Sequence, residues 1–148
     1  MQTRAKGVFS MNVILGTEID KNEILEKYPH TTQAIGNGGF LIVAKNGCEI
    51  IGFLWAFMRD IPVAVSKKEM FINVIEVFGD QNRCNGIGSS LVEKCIEIAR
   101  IENCYQIRAY CDANNIPSTR MWIKNGFAIS PVKMDNGSIP GSYITYKL

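Results

Sequence analysis

The chain has 148 residues, of which 47% are hydrophobic and 20% charged, as in an ordinary soluble globular protein. Its 16 basic and 14 acidic side chains give a net charge of +2, so charge gives no reason to expect a nucleic acid partner. No apolar run approaches the roughly 20 residues that cross a bilayer, and no secretory signal follows the polar N-terminus. We therefore expect a cytoplasmic protein without membrane contact, with one domain over residues 1–148 and disorder in residues 1–7.

The cysteines and the single histidine do not form a metal-binding pattern. Five cysteines are an odd number, and they include no CxxC pair. His30 has no partner at metal-ligand spacing. We expect reduced thiols and no bound metal.

The first elements of the chain are predicted to be a strand and a short helix. Residues 8–15 are β-branched and apolar, which is typical of a strand. Asp20 and Glu23 form a capping-box pattern that predicts a helix over residues 21–28, ended by Pro29.

The next segments predict a hairpin and a buried strand. Two apolar runs, residues 40–45 and 48–58, are joined at Asn46-Gly47, a pair that favours a tight β-turn. Residues 70–78 are almost continuously apolar, as a central strand covered on both faces should be.

The second half alternates helices and strands. Apolar residues at helical spacing predict a helix of about four turns beginning near Ile87. Residues 106–112 predict a strand, Asn115 caps a further helix, and residues 127–134 and 142–148 predict two final strands. This order predicts an α/β (α+β) fold, a mixed sheet with helices packed on its faces.

The polar loop over residues 79–85 leads from the buried strand into a helix that begins at Gly86-Ile87-Gly88. A helix N-terminus presents unpaired N–H groups and partial positive charge, and glycines let the backbone close around a phosphate. The segment is therefore suited to binding a diphosphate.

Two common nucleotide motifs do not fit this loop. The Walker pattern requires Gly-Lys-Ser/Thr, but Gly88 is followed by Ser89-Ser90. The dinucleotide fingerprint requires a glycine where the chain has Leu91.

Two motifs instead resemble those of the GNAT superfamily of acetyltransferases. The first, Arg83-x-x-Gly86-x-Gly88, is similar to the acetyl-CoA motif of that family. The second follows after one predicted strand and consists of Asn115-x-x-Ser118-x-x-Met121-Trp122-x-Lys124-x-Gly126-Phe127. The resemblance covers about residues 70–127.

The resemblance implies a mostly antiparallel sheet in which two parallel strands, residues 70–78 and 106–112, splay apart around the pantetheine arm of acetyl-CoA. Backbone groups of the first strand would bind the arm and the thioester, the glycine loop the pyrophosphate, and the second helix another part of the cofactor. Trp122 would pack on the cofactor arm or in the core. The residues assigned to acetyl-CoA are Val77, Phe78, Arg83, Cys84, Asn85, Gly86, Ile87, Gly88, Ser89, Asn115, Ser118 and Trp122.

Glu76 is the candidate catalytic base. It is the only charged residue between Phe71 and Phe78, and a carboxylate in such a strand is costly unless it reaches water, a partner or a cleft. Family members often place a glutamate on this strand. The alternative is that Glu76 pairs with a nearby Arg or Lys or faces solvent.

The general acid is not identified by the sequence. The family commonly places a tyrosine where this chain has Trp122, and indole has no usable proton near neutral pH. The alternatives are Ser118, Cys111, Tyr110, Tyr143, Tyr146 or a water molecule.

Two further residues have a structural and a functional interpretation. Cys84 lies in the proposed phosphate loop, where a helix N-terminus could activate it, but an ordinary loop cysteine is the favoured interpretation. His30 could line the acceptor site, but a surface histidine is favoured.

The predicted function is transfer of an acetyl group to a primary amine by direct attack in a ternary complex. The acceptor is a small molecule, a peptide N-terminus or a lysine, and in the family residues 21–39, 60–69 and the final hairpin build its site. The alternatives are a non-catalytic acyl-CoA-binding module, motivated by Trp122, and a toxin-like aminoacyl-tRNA acetyltransferase. The resemblance also allows a homodimer, although no residue shows one.

Overall fold

The computed structural model describes residues 11–61, 66–83 and 85–148. The start of the strand predicted from residue 8 and the disorder predicted for residues 1–7 lie outside these residues. The elements in chain order are β1 (Met11–Leu15), α1 (Glu18–Lys27), β2 (Phe40–Asn46), β3 (Glu49–Asp60), β4 (Lys68–Val77), α2 (Ile87–Ile101), β5 (Gln106–Asp112), α3 (Ile116–Lys124), β6 (Ala128–Val132) and β7 (Gly141–Lys147).

The strands that the structure describes form one seven-stranded sheet in the order β1-β2-β3-β4-β5-β7-β6. β4 and β5 are parallel, whereas β1 with β2, β5 with β7 and β6 with β7 are antiparallel. The parallel pairing covers Glu69 to Ile72 and Gln106 to Ala109, although both strands are longer. The predicted fold class, a mixed and mostly antiparallel sheet with one parallel pair, is confirmed.

The described residues form two compact units, and each uses two stretches of chain. The first contains the residues up to Trp55 with Val74–Cys95, and the second contains Ala56–Asn73 with Ile96–Leu148. That residues 1–148 form one domain stays a prediction. No helix of the described residues is long and apolar enough to cross a membrane.

Helices cover both faces of β3 in the first unit, because neighbouring strand residues point to opposite faces. A Cβ at Gly52 would lie 3.3 Å from Ile87 and 3.5 Å from Leu91, both on α2. The next residue, Phe53, packs on Phe78, whose ring stacks on Tyr28 at the end of α1.

The first helix begins earlier than predicted, because its cap is Thr17 and not Asp20. The Asp20 N–H donates to Thr17 Oγ1 at 3.2 Å, and Asp20 Oδ2 accepts from the Thr17 N–H at 2.9 Å. This is a capping box with Thr17 as N-cap and Asp20 as its third helical residue. The sequence pattern Asp20-Glu23 correctly predicted a capping box, but it placed the N-cap three residues after its observed position.

The facing ends of β3 and β4 extend two residues beyond the predicted strands. Their charged residues break the apolar pattern, but they pair with one another. Lys68 Nζ lies 2.8 Å from Asp60 Oδ1, and Arg59 Nε donates to Glu69 Oε2 at 2.6 Å. Long-range pairing of this kind outweighs the local polarity that would otherwise predict a loop.

The second unit has the elements that the sequence predicted, with small shifts. β5 covers Gln106–Asp112 as expected, and the side chain of Asn115 caps α3 by accepting from the Ser118 N–H at 3.1 Å. Trp122 on α3 is 2% exposed and packs edge-on against Phe127, with ring centroids 4.9 Å apart.

The Asp20–Lys45 ion pair connects α1 to β2, with Lys45 Nζ 2.9 Å from Asp20 Oδ1. Burial acts to raise the pKa of Asp20, but the hydrogen bonds from Lys45 and Thr17 outweigh burial and leave that pKa below its usual value. A carboxyl group whose pKa is lowered by folding contributes stability above its unfolded pKa, and this contribution is lost as the pH falls through the folded pKa.

Replacing Asp20 by Asn should destabilise the protein in a pH-dependent way. We expect a loss of about 1.5–3 kcal/mol at about pH 7, the value of hydrogen bonds to a charged group. The loss should shrink as the pH falls from about 4, the pKa of an unfolded Asp, through the lower pKa of the folded carboxyl. Urea unfolding over this pH range measures the difference. Glu18→Gln, an exposed change in the same helical turn, is the control, and an equal effect of both variants would contradict the prediction.

Candidate active site

The candidate base, Glu76, lies near the end of β4 and interacts with a histidine rather than with an Arg or Lys. His30 Nε2 lies 3.0 Å from Oε1 and 3.0 Å from Oε2 of Glu76. A carboxylate accepts hydrogen bonds, so this contact forms with the His30 tautomer that has its proton on Nε2. The Glu76 side chain is 32% exposed and that of His30 61%, so the pair is open to solvent and to a ligand.

His30 is held in place by the end of α1. It lies in the short 3-10 turn Pro29–Thr31, and its ring meets the Tyr28 ring edge-on at 6.3 Å. The Tyr28 ring in turn stacks on Phe78 with 3.7 Å between centroids and 6° between planes. Tyr28 thereby connects the histidine to the strand end that carries Glu76. The histidine is therefore exposed, as favoured, but it is also a partner of the candidate base.

The backbone at Phe78 is already hydrogen-bonded within this unit. The Phe78 N–H donates to the Ile51 carbonyl at 2.8 Å, and the Phe78 carbonyl accepts from the buried Asn82 side chain at 2.7 Å. These bonds fix the point at which β4 turns into the glycine loop.

The loop after β4 is a compact turn. Its first part is a 3-10 turn over Asp80–Asn82, after which the Arg83 N–H donates to the Asp80 carbonyl at 3.2 Å. The Asn85 side chain donates to the Gln81 carbonyl at 2.9 Å. The loop is therefore ordered by its own hydrogen bonds.

Gly86 is the position that makes this turn suitable for an anion. Its φ is +78°, and a Cβ built there would meet no atom within 4 Å. The Ser90 N–H donates to the Gly86 carbonyl as the first bond of α2. The N–H groups of Ile87 and Gly88 in the first turn have no acceptor within the helix, so they can point at a ligand.

Ile87 anchors the start of α2 in the core. Its side chain is buried and packs at Gly52 of β3. A Cβ at Gly52 would also lie 3.0 Å from the Glu76 carbonyl. Gly52 therefore lets α2 and the Glu76 backbone approach β3 closely.

The structure describes all but one of the remaining residues that were predicted to bind the cofactor in this segment. The Arg83 side chain is mostly exposed, and its Nε lies 3.5 Å from Asp80 Oδ1. Cys84 lies outside the described residues. Gly88 and Ser89 are in the first turn of α2 and are half-buried, and Val77 is the last residue of β4.

The predicted residues of α3 belong to the second unit and have structural partners there. Asn115 caps the helix through the Ser118 N–H, and Ser118 is half-buried. Trp122 lies in the core. The cap and the core position explain these side chains locally, and their contact with a cofactor stays a prediction.

The alternatives for a general acid are not equally accessible. Cys111 is buried, with its sulfur 3.4 Å from Thr119 Oγ1. The Tyr146 ring packs on Phe127. Tyr110 is 40% exposed and meets Tyr143 edge-on at 5.4 Å. Among the side chains, accessibility favours Tyr110.

Residues 21–39, predicted to contribute to the acceptor site, help to form a pocket of about 150 Å³ in the first unit. The pocket lies between the start of α1, the glycine-rich loop after it and Trp55. Lys21 Nζ donates to the Gly36 carbonyl at 3.2 Å and to Asn37 Oδ1 at 3.0 Å. Since Glu18 and Lys21 both line it, the pocket has no clear charge preference. Of the predicted acceptor loop 60–69, residues 62–65 lie outside the described part of the chain.

Sequence reasoning missed the partners of the site. Tyr28, Asn82 and the His30–Glu76 contact join residues up to 50 positions apart in the chain. Only the cluster Tyr28-Pro29-His30 directly after a helix gave a local signal, since polar and aromatic residues on a loop are candidates for function.

The comparisons with known proteins are consistent with this geometry. The model of the Acetyltransferase (GNAT) family matches residues 14–127. No curated protein matches the chain significantly.

Solved structures with the same fold are distant in sequence. NAA60 of Arabidopsis thaliana, in complex with a bisubstrate analogue, is 14% identical with a TM-score of 0.73, over 94% of this chain and 99% of the other. The IAA acetyltransferase of Bacillus cereus is 18% identical with a TM-score of 0.70, over 94% and 100%. The yncA protein of Salmonella typhimurium, solved with acetyl-CoA, is 18% identical with a TM-score of 0.70, over 93% and 94%. The family match covers well over half of the chain, and the protein therefore belongs to the GNAT family of acetyltransferases.

Proposed function

We propose that the protein transfers an acetyl group from acetyl-CoA to a primary amine, by direct attack of the amine in a ternary complex. The observation that carries the proposal is the segment from Glu76 to Gly88, which joins an accessible carboxylate to a glycine turn and a helix N-terminus. Family membership and the acetyl-CoA bound to the yncA protein support the choice of cosubstrate.

The loop fits a pyrophosphate. The open space beside Gly86 and the N–H groups of Ile87 and Gly88 at the start of α2 offer donors and partial positive charge at one place. Arg83, whose side chain is mostly exposed, adds a cation next to the same turn. We keep Val77, Asn85, Asn115 and Ser118 as proposed contacts to other parts of acetyl-CoA.

Glu76 is proposed to accept the proton of the attacking amine, directly or through water. An alkylammonium has a pKa of about 10, so the amine needs a base before it can attack. His30 orients the Glu76 carboxylate by donating between its two oxygens. Because both side chains are solvent-accessible, the proton can pass on to bulk water.

A second candidate function, a non-catalytic acyl-CoA-binding module, is favoured by one observation. Trp122 occupies the position of the family's usual acid and is only 2% exposed, so it neither donates a proton nor reaches solvent. The proposed enzyme would protonate the departing thiolate from Tyr110 or water. The two functions share the cofactor site and differ in turnover.

Binding of acetyl-CoA should depend on Gly86. In Gly86→Glu the side chain fills the open space and places a negative charge where the pyrophosphate would lie. We expect binding to weaken at least about 100-fold, equivalent to about 2.7 kcal/mol. Isothermal titration with acetyl-CoA measures the effect.

Gly137→Glu is the matched control, since Gly137 has φ +87° and no atom within 4 Å of a Cβ but lies in the final hairpin. Its backbone strain is the same in kind, so binding should remain close to that of the wild type. Equal losses in both variants, or no binding by folded wild-type protein, would overturn the cofactor proposal.

Glu76→Gln should separate catalysis from binding. We expect kcat to fall about 10²- to 10⁴-fold, the usual contribution of a general base, with the affinity for acetyl-CoA nearly unchanged. Mass detection of acetylated products across a panel of amines measures turnover. Glu49→Gln, an exposed carboxylate on β3, is the control. Binding without turnover by the wild type would favour the non-catalytic module.

His30→Ala should reduce kcat less than Glu76→Gln, because it removes the orienting donor and leaves the base. We expect a loss of about 10-fold, the lower end of the value of a hydrogen bond to a charged group, because the pair is exposed to solvent. His30→Gln, which retains an N–H donor, should recover part of it. If His30→Ala abolished turnover as completely as Glu76→Gln, the histidine itself would be the base.

A further inference from the structure

Two arginines of the second unit lie on aromatic rings on one face of the sheet. The Arg59 guanidinium lies 3.9 Å from the centroid of the Phe71 ring, and that of Arg108 lies 4.3 Å from the centroid of the Tyr143 ring. Phe71 and Arg108 are paired on neighbouring strands, so their side chains are on the same face. We call Arg59, Phe71, Arg108 and Tyr143 the arginine patch.

The two guanidiniums differ in their partners. Arg59 Nε donates at 2.6 Å to Glu69, which is 2% exposed and also accepts from Gln106 at 2.7 Å. Each carboxylate oxygen of Glu69 therefore has a partner, and the contact with Glu69 fixes Arg59 in place. The Arg59 side chain remains 40% exposed, so its terminal nitrogens can reach a ligand.

Arg108 has no such partner. Its Nε is buried without a hydrogen bond, and none of the ion pairs within the described residues includes Arg108. A buried donor without an acceptor costs about 1–3 kcal/mol, more when it is charged. The Tyr143 ring compensates only in part, since a cation–π contact contributes about 0.5–2 kcal/mol.

The charges of the patch predict the ligand. The two guanidiniums carry two positive charges, and the carboxylate of Glu69 compensates one of them. One positive charge therefore remains uncompensated. A guanidinium binds a carboxylate or phosphate through two parallel N–H bonds. One surplus charge matches a carboxylate better than a dianionic phosphate.

We propose that the arginine patch binds the carboxylate of a small ligand at Arg108 and Arg59. This carboxylate site lies within the second unit and does not rest on the proposed function.

The carboxylate site is tested without turnover. The Nε–H signals of the arginines are followed by ¹⁵N NMR, and the Arg108 signal is assigned by its loss in Arg108→Gln. Propionate should shift this signal saturably in the millimolar range, where a single ion-paired contact is expected to bind. Propionamide, which is neutral and of similar shape, should not shift it, and the signal of the exposed Arg100 should not move with either.

Two results would overturn the carboxylate site. One is the same shift, or none, with propionate and propionamide. The other is a shift by inorganic phosphate at clearly lower concentration than propionate, which would assign the patch to a phosphate group.

A purely structural role of Arg108 makes a different prediction. Arg108→Gln would then lower the unfolding midpoint, whereas removal of a guanidinium whose buried Nε has no hydrogen-bond partner should leave the midpoint unchanged or raise it.

Discussion

The close approach at Gly52 is the constraint on which the candidate site depends. A Cβ there would lie 3.0 Å from the Glu76 carbonyl and 3.3 Å from Ile87 of α2, closer than side chains normally pack. Because Gly52 has no side chain, α2 lies directly on β3, and a buried isoleucine anchors the N-terminus of α2. The turn that ends at Gly86 and the strand that carries Glu76 are thereby fixed by the same contact. The helix N-terminus proposed to bind a phosphate and the carboxylate proposed as the base are positioned together because one strand residue has no side chain.

The elements that repeat a local pattern could be predicted from the sequence. The Asn115 cap, the bounds of β5 and the helix beginning at Ile87 agree with the structure because apolar spacing and capping chemistry are local. The N-cap of α1, Thr17, was missed because Asp20 fits a capping box in two ways, as the N-cap or as the third helical residue. The strand ends at Asp60 and Lys68 were missed because their charges pair across strands.

The residues of the site also divide into those that a local sequence pattern predicts and those that meet only in the folded chain. The glycine loop is a contiguous motif, so its role as a candidate phosphate site follows from the sequence alone. The contact of His30 with Glu76 joins residues 46 positions apart, and the Arg108–Tyr143 contact joins strands distant in sequence. No local pattern encodes such contacts. The buried carboxylates Asp20 and Glu69 are each paired with a cation. In contrast, the His30 side chain is exposed, and the buried Nε of Arg108 has no hydrogen-bond partner. Polar groups that break the usual rules of burial and pairing concentrate at functional sites.

The position of Trp122 shifts the expected source of catalysis away from acid assistance. With indole in the core, a rate enhancement would come mainly from the base and from donors to the developing oxyanion. The Phe78 N–H is already bonded to Ile51, so it is not available for the thioester oxygen unless the strand end moves. A thiolate is a tolerable leaving group, and a single well-placed N–H donor contributes about 10²–10³ in rate, so the missing tyrosine is compatible with an enzyme.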